Sequence, residues 1–146
     1  HYTYEKVNNR VPIVVGIGGN NTKELINDLE QYPLDKAVAV LSASPYYSKP
    51  SQEGLFQHYK ALANASPKPI LLYNVPGRTG RNLAASTTIR LANEVANIAG
   101  IKEASDDMNQ AMQIPLAPII HFLDSVQDLR IPQDLVIPFS APQQVS

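Results

Sequence analysis
Two apolar runs end in residues that can carry covalent and proton-transfer chemistry: Ala99-Gly100-Ile101 leads into Lys102, and Ile70-Leu71-Leu72 leads into Tyr73. Apolar surroundings make a charged ammonium costly and favour the neutral amine, which can attack a ketone to form a Schiff base. Carbanion chemistry at such an imine needs a proton carrier, and a tyrosine hydroxyl within hydrogen-bond reach can serve. Tyr73 and Tyr47, the latter in Pro45-Tyr46-Tyr47, are the candidates. Arg78 follows the Pro76-Gly77 turn and offers a planar guanidinium suited to a carboxylate. Each residue also has a plainer reading. Lys102 could end its strand and reach water, or pair with Glu103; the phenols could be packing; Arg78 could be an ordinary surface cation.

The elements that must position these residues are legible as a repeat. Residues 12–16 (PIVVG), 37–42 (AVAVLS), 69–73 (PILLY) and 98–102 (IAGIK) are continuous apolar runs, as expected of parallel strands covered on both faces. Between them lie stretches of helical spacing. Leu25, Ile26 and Leu29 form a stripe after the capping candidates Asn21 and Thr22, and Leu55, Tyr59 and Leu62 form another after Ser51. A third stripe, Ile89, Leu91, Ala92 and Val95, follows a Ser86-Thr87-Thr88 start. The strand ends Gly16, Ser42, Tyr73 and Lys102 recur every 26 to 31 residues, the length of one strand-helix unit. An open doubly wound sheet accepts this repeat, and so does a (β/α)8 barrel. A whole barrel needs about 250 residues, so this chain would hold little more than half of one. Both architectures place chemistry at the carboxyl ends of the strands. That rule selects Gly16-Ile17-Gly18-Gly19, Pro45-Tyr46-Tyr47, Tyr73 with Arg78, and Lys102-Glu103.

Composition narrows the remaining classes. With 146 residues, 44% hydrophobic content and a net charge of -1, the chain fits one ordinary domain with no basic patch for nucleic acid. No apolar run reaches the roughly 18 residues that a bilayer span requires. Zero cysteines exclude disulfides and thiolate metal sites, and the first residues lack the apolar stretch of a secretory signal, so a cytoplasmic location is expected. His1, His58 and His121 have no metal-ligand spacing, and His58 reads as a core or solvent-facing residue within a helix. Gly16-Ile17-Gly18-Gly19 lacks the full dinucleotide-binding pattern and reads as a tight strand exit, while Asp106 and Asp107 read as the start of a helix.

Three segments carry a family resemblance. They are Pro45-Tyr46-Tyr47-Ser48-Lys49-Pro50-Ser51-Gln52-Glu53-Gly54, Tyr73-Asn74-Val75-Pro76-Gly77-Arg78-Thr79-Gly80 and Gly100-Ile101-Lys102-Glu103-Ala104. In this order and spacing, from residue 11 to about 112, the chain closely resembles the dihydrodipicolinate synthases, also called 4-hydroxy-tetrahydrodipicolinate synthases. The resemblance implies an α/β fold, a (β/α)8 TIM barrel, with residues 1–112 as its central part. Residues 113–146 form a proline-rich tail, read as discontinuous remnants of the later barrel and carboxyl-terminal region.

It further implies a lyase of lysine and diaminopimelate biosynthesis that condenses pyruvate with aspartate semialdehyde and needs no metal or organic cofactor. By position, Lys102 matches the imine-forming lysine, Tyr73 the proton-shuttling phenol and Tyr47 the tyrosine lent by a neighbouring subunit. Arg78 matches the arginine that binds the semialdehyde carboxylate, and Asn20, Glu24 and Tyr46 match part of a lysine-effector pocket at a subunit interface. A cytoplasmic homotetramer built from dimers is implied, with neither nucleic acid nor membrane as partner. The glycine-isoleucine-lysine motif is shared with sugar-acid aldolases such as N-acetylneuraminate lyase, which makes that activity the nearest alternative. A truncated, non-catalytic barrel acting in assembly is another. The family's first two strands, with a glycine-threonine-threonine-glycine-glutamate motif, would precede Val11 and are not seen here, so the sequence is expected to be a fragment or a set of joined segments.

Overall fold
The computed structural model describes residues 2–114 and the backbone of 135–138. The four apolar runs are strands β1 (Val14–Gly16), β2 (Ala39–Ala43), β3 (Ile70–Asn74) and β4 (Ile98–Glu103). They pair in parallel, in chain order, and β5 (Leu135–Pro138) lies antiparallel along β4. Sequence reading found no such strand, because four residues among prolines carry too short a pattern and their pairing is non-local. The rest of the 113–146 tail beyond Ile114, with His121, lies outside the described residues.

Helices α1 (Tyr2–Val7), α2 (Thr22–Gln31), α3 (Gln52–Ala65), α4 (Pro76–Thr79), α5 (Ala85–Glu94) and α6 (Met108–Gln113) link or flank the strands. The order β1-β2-β3-β4 has no reversal, whereas a doubly wound sheet reverses at a switch point. Consecutive crossovers of one hand put α2, α3 and α5 on one face of the sheet, as in a barrel. Val40, Ile70, Leu72 and Ile101 project from that face into a core with Leu25, Leu29, Leu55, Phe56, Tyr59, Leu62 and Leu91. Each such buried side chain stabilises the fold by about 1.5–3 kcal/mol relative to exposure. Tyr73 and Lys102 project from the opposite face.

Short polar side chains set the starts of α2, α3 and α6. Asn21 Oδ1 accepts from the N–H groups of Lys23 (3.1 Å) and Glu24 (3.3 Å), Ser51 Oγ from Gly54 (3.1 Å), and Asp107 Oδ1 from Asn109 and Gln110. Thr22 is the first residue of α2, not its cap. The expected Ser86-Thr87-Thr88 start is also displaced: α5 begins at Ala85, has Ala84 at its N-cap and no side-chain cap of its own. Gln52 of α3 supplies the polar partner instead. Its Oε1 accepts from Ala84 N (3.0 Å) and Thr87 Oγ1 (2.7 Å), and its Nε2 donates to Asn82 O (2.8 Å). Local spacing could not show a partner more than 30 residues away. At the glycine-rich exit of β1 the requirement for glycine is confined to one position. None of Gly16, Gly18 and Gly19 has a left-handed φ; a Cβ at Gly16 or Gly18 would meet nothing within 4 Å, whereas one at Gly19 would crowd Leu25 Cδ2 at 3.3 Å.

His58 lies in the core between α2 and α3. It is 5% exposed, its Nδ1 shares a 2.7 Å hydrogen bond with Thr22 Oγ1, and its ring meets Tyr59 edge-on. Burial disfavours the imidazolium and lowers its pKa from 6.5 to about 4. The unfolded chain therefore binds more protons than the folded one between these values. The stability that His58 contributes is complete above pH 6.5 and is lost as pH falls toward 4. Urea unfolding across this window should show a steeper acid loss in the wild type than in His58→Gln; parallel profiles would contradict the assignment.

Candidate functional site
The pairing of β3 with β4 brings the two chemical residues together. Ile70 faces Ile98, but Leu71 faces Gly100, so Ala99 is an extra residue in β4. Beyond this bulge the register is Tyr73↔Lys102 and Asn74↔Glu103. Side chains alternate along a strand, so a ladder without the bulge would place Lys102 opposite Asn74, on the helical face. With the bulge, Lys102 and Tyr73 are neighbours on the other face. Lys102 Nζ stands 4.5 Å from the centre of the Tyr73 ring, and both residues are half-buried. That geometry sets the side-chain nitrogen over the face of the phenol ring, where a cation is attracted by the ring's electrons.

Glu103 does not serve as the partner that one plain reading gave Lys102. It faces the helical layer, is 6% exposed, and accepts from Asn74 Nδ2 (2.9 and 3.1 Å), Gln110 Nε2 (3.0 Å) and Ser105 N (3.0 Å). Sequence reading gave Asn74 and Gln110 no role. A signal was available for Asn74 alone: like Glu103, it directly follows a candidate site residue on a strand and therefore sits behind it.

A second group lies farther out on the same rim. Tyr46, Tyr47, Lys49, Gly77, Arg78, Thr79 and Gly80 line an open cleft of about 780 Å³ that, among the described residues, carries two cations and no carboxylate. Arg78 belongs to the single turn α4, which starts at Pro76 and is closed by Gly80 at φ 73°, whose N–H bonds to Pro76 O at 2.9 Å. It takes part in no ion pair among the described residues. Tyr47 is 88% exposed with φ 69°, and Lys49 has φ 46°. Left-handed backbone at a bulky residue is strained, so this loop is held in an uncommon shape that presents the phenol outward. No hydrogen bond or ring contact joins Tyr47 to Tyr73 among the described residues. Asn20 and Glu24, both exposed at the start of α2, do not line the cleft that Tyr46 shares with Arg78.

A β/α unit wound in one direction, with an amine and a phenol side by side at the carboxyl ends of adjacent strands, is a segment of the kind that builds (β/α)8 barrel enzymes. Comparison with known proteins is specific: residues 1–118 match the model of the dihydrodipicolinate synthetase family, and the chain belongs to that family. It is 58% identical over 107 residues to the 4-hydroxy-tetrahydrodipicolinate synthase of Cytophaga hutchinsonii, covering 73% of this chain and 36% of that protein. The crystal structure of dihydrodipicolinate synthase from Thermotoga maritima superposes with a TM-score of 0.73 at 37% identity, over 88% of this chain and 41% of that one. That of the chloride-inhibited enzyme from Acinetobacter baumannii, complexed with pyruvate, gives 0.71 at 47% identity over 76% and 38%. The chain thus spans little more than a third of the length of the curated relatives it matches.

The α4 turn gives a direct test of how Arg78 is held. Gly80→Ala should lower stability by about 1–2 kcal/mol, the cost of left-handed backbone for an L side chain. Gly77→Ala, where an added Cβ meets nothing within 4 Å, should be neutral or slightly stabilising. Equal effects of the two in denaturant unfolding would contradict the described turn.

Proposed function
We propose that this chain is part of an enzyme that condenses pyruvate with aspartate semialdehyde through a Schiff base on Lys102. The observation that carries the reading is the Tyr73↔Lys102 register, with the amine 4.5 Å from the phenol ring. The name shared by its relatives supports the semialdehyde over a sugar acid as the second substrate. In this scheme Lys102 Nζ adds to the keto carbon of pyruvate, water leaves, and a carbon-nitrogen double bond forms. Loss of a methyl proton gives an enamine whose carbon attacks the aldehyde. Tyr73 carries protons to and from these atoms, since a phenol held beside an imine can act as both acid and base. Arg78, in a cleft to which the described residues bring no carboxylate, receives the carboxylate of the semialdehyde.

The exposed Tyr47 is the residue a neighbouring subunit would receive, in keeping with a homotetramer built from dimers. Asn20, Glu24 and Tyr46 are the candidates for a lysine-effector site, and a cytoplasmic location is the corresponding expectation. Among the described residues, no helix is long and apolar enough to cross a membrane.

Borohydride reduction in the presence of pyruvate should leave one reduced pyruvate on Lys102, read by peptide mass spectrometry of the protein expressed at the full length its gene encodes. Tyr73→Phe should lower turnover by about 10²–10⁴-fold, the usual worth of a general acid-base group. An unlabelled Lys102 in folded protein would overturn the proposal, as would turnover of sugar acids in preference to aspartate semialdehyde.

A further inference from the structure
The bulge that carries Lys102 to the Tyr73 face also interrupts the ladder just before the site, so the register of the last residues of β3 and β4 needs a second constraint. One lies directly behind them. Asn74, fully buried, places its Nδ2 2.9 and 3.1 Å from the two carboxylate oxygens of Glu103, while its Oδ1 accepts from Leu83 N at 2.9 Å. Gln110 Nε2 reaches Glu103 Oε2 at 3.0 Å, and Asn82 Nδ2 donates to Gln110 Oε1 at 2.7 Å. Among the described residues the partners of this buried carboxylate are two side-chain amides and one backbone N–H, with no cation. Such a group is costly to bury unless its donors are fixed, and a slip of the two strands would strip them away. The network also ties the strand ends to the loop before α5 and to α6, the segments that follow each site residue.

From this juxtaposition we infer that Glu103 and Asn74 are positioning residues for Lys102 and Tyr73: a polar clamp on the helical face that fixes the amine against the phenol on the other. The inference rests on the proposed imine chemistry for its kinetic consequence and on the register alone for its structural one. A one-residue slip would swing Lys102 away from Tyr73 altogether. Smaller tilts would misplace the amine by a fraction of an ångström to an ångström.

The test compares wild type, Glu103→Gln, the reversed pair Asn74→Asp/Glu103→Gln, and Gln110→Leu. In Glu103→Gln one of the two acceptors becomes an NH2 group, which confronts Asn74 Nδ2 together with either Ser105 N or Gln110 Nε2. The rate of pyruvate imine formation, per folded protein, should fall about 10- to 100-fold, in line with the known cost of ångström-scale misplacement. Half-saturating pyruvate should change little, which separates positioning from lost binding. The reversed pair restores a donor against an acceptor between the strands but sets a carboxylate oxygen against Asn82 Oδ1, which lies 2.8 Å from Asn74 Nδ2, so it should recover part of the rate. Wild-type imine formation in folded Glu103→Gln would overturn the inference, and so would a reversed pair no faster than the single variant. Should Glu103→Gln not fold, Gln110→Leu decides: loss of one donor should slow the step several-fold, and an unchanged rate would overturn the inference. Amide exchange at residues 73, 74, 101 and 102 gives a readout independent of pyruvate. It should quicken in the variants relative to β1 and β2. Unchanged exchange would defeat the clamp even where wild type formed no imine, an outcome that would count against the proposed function alone.

Discussion
The arrangement depends on the parallel pairing of β3 with β4 after the inserted Ala99. That one extra residue decides which face of the sheet receives Lys102. It sets Tyr73 opposite Lys102 on one face and Asn74 opposite Glu103 on the other. The two pairs make different demands. The first must keep an amine and a phenol adjacent yet reachable by a small molecule, so both side chains are only half-buried. The second is closed off from solvent, and its hydrogen bonds are worth more there than they would be in water.

The surroundings supply rigidity behind the site and adaptability in front of it. Behind the sheet, α2, α3 and α5 bury a continuous apolar layer, and Gln52 ties the start of α5 to α3. In front, the rim is made of loops: the strained Pro45 to Lys49 segment that exposes Tyr47, and the single turn that carries Arg78. Function on loops held by a rigid scaffold is the common arrangement, because loops can be shaped without disturbing the core. Here Lys49 and Arg78 share a cleft to which the described residues bring no carboxylate, a setting that favours an anionic substrate.

Much of this was legible in the sequence. The continuous apolar runs gave all four parallel strands to within two residues, and Asn21, Ser51 and Asp107 marked helix starts because their side chains reach N–H groups two or three residues on. The expectation of chemistry at strand ends brought Lys102 and Tyr73 forward together. What escaped was non-local. The bulge at Ala99 has no local signature, since IAGIK reads as an unbroken strand. The Gln52 bond to α5, the pairing of β5 with β4, and the Asn74-Glu103-Gln110 network all join residues distant in sequence or on different elements. The misplaced start of α5 has the same origin: Ser86, Thr87 and Thr88 looked like caps, while the polar partner came from another helix.

A crystal structure of the full-length protein soaked with pyruvate tests the central claim most directly. Continuous density from Lys102 Nζ to the keto carbon, with the Tyr73 hydroxyl in hydrogen-bond reach of the new bond, is the expected result. Pyruvate seated elsewhere beside an unmodified Lys102, or a β3–β4 register that puts Lys102 on the helical face, would contradict it.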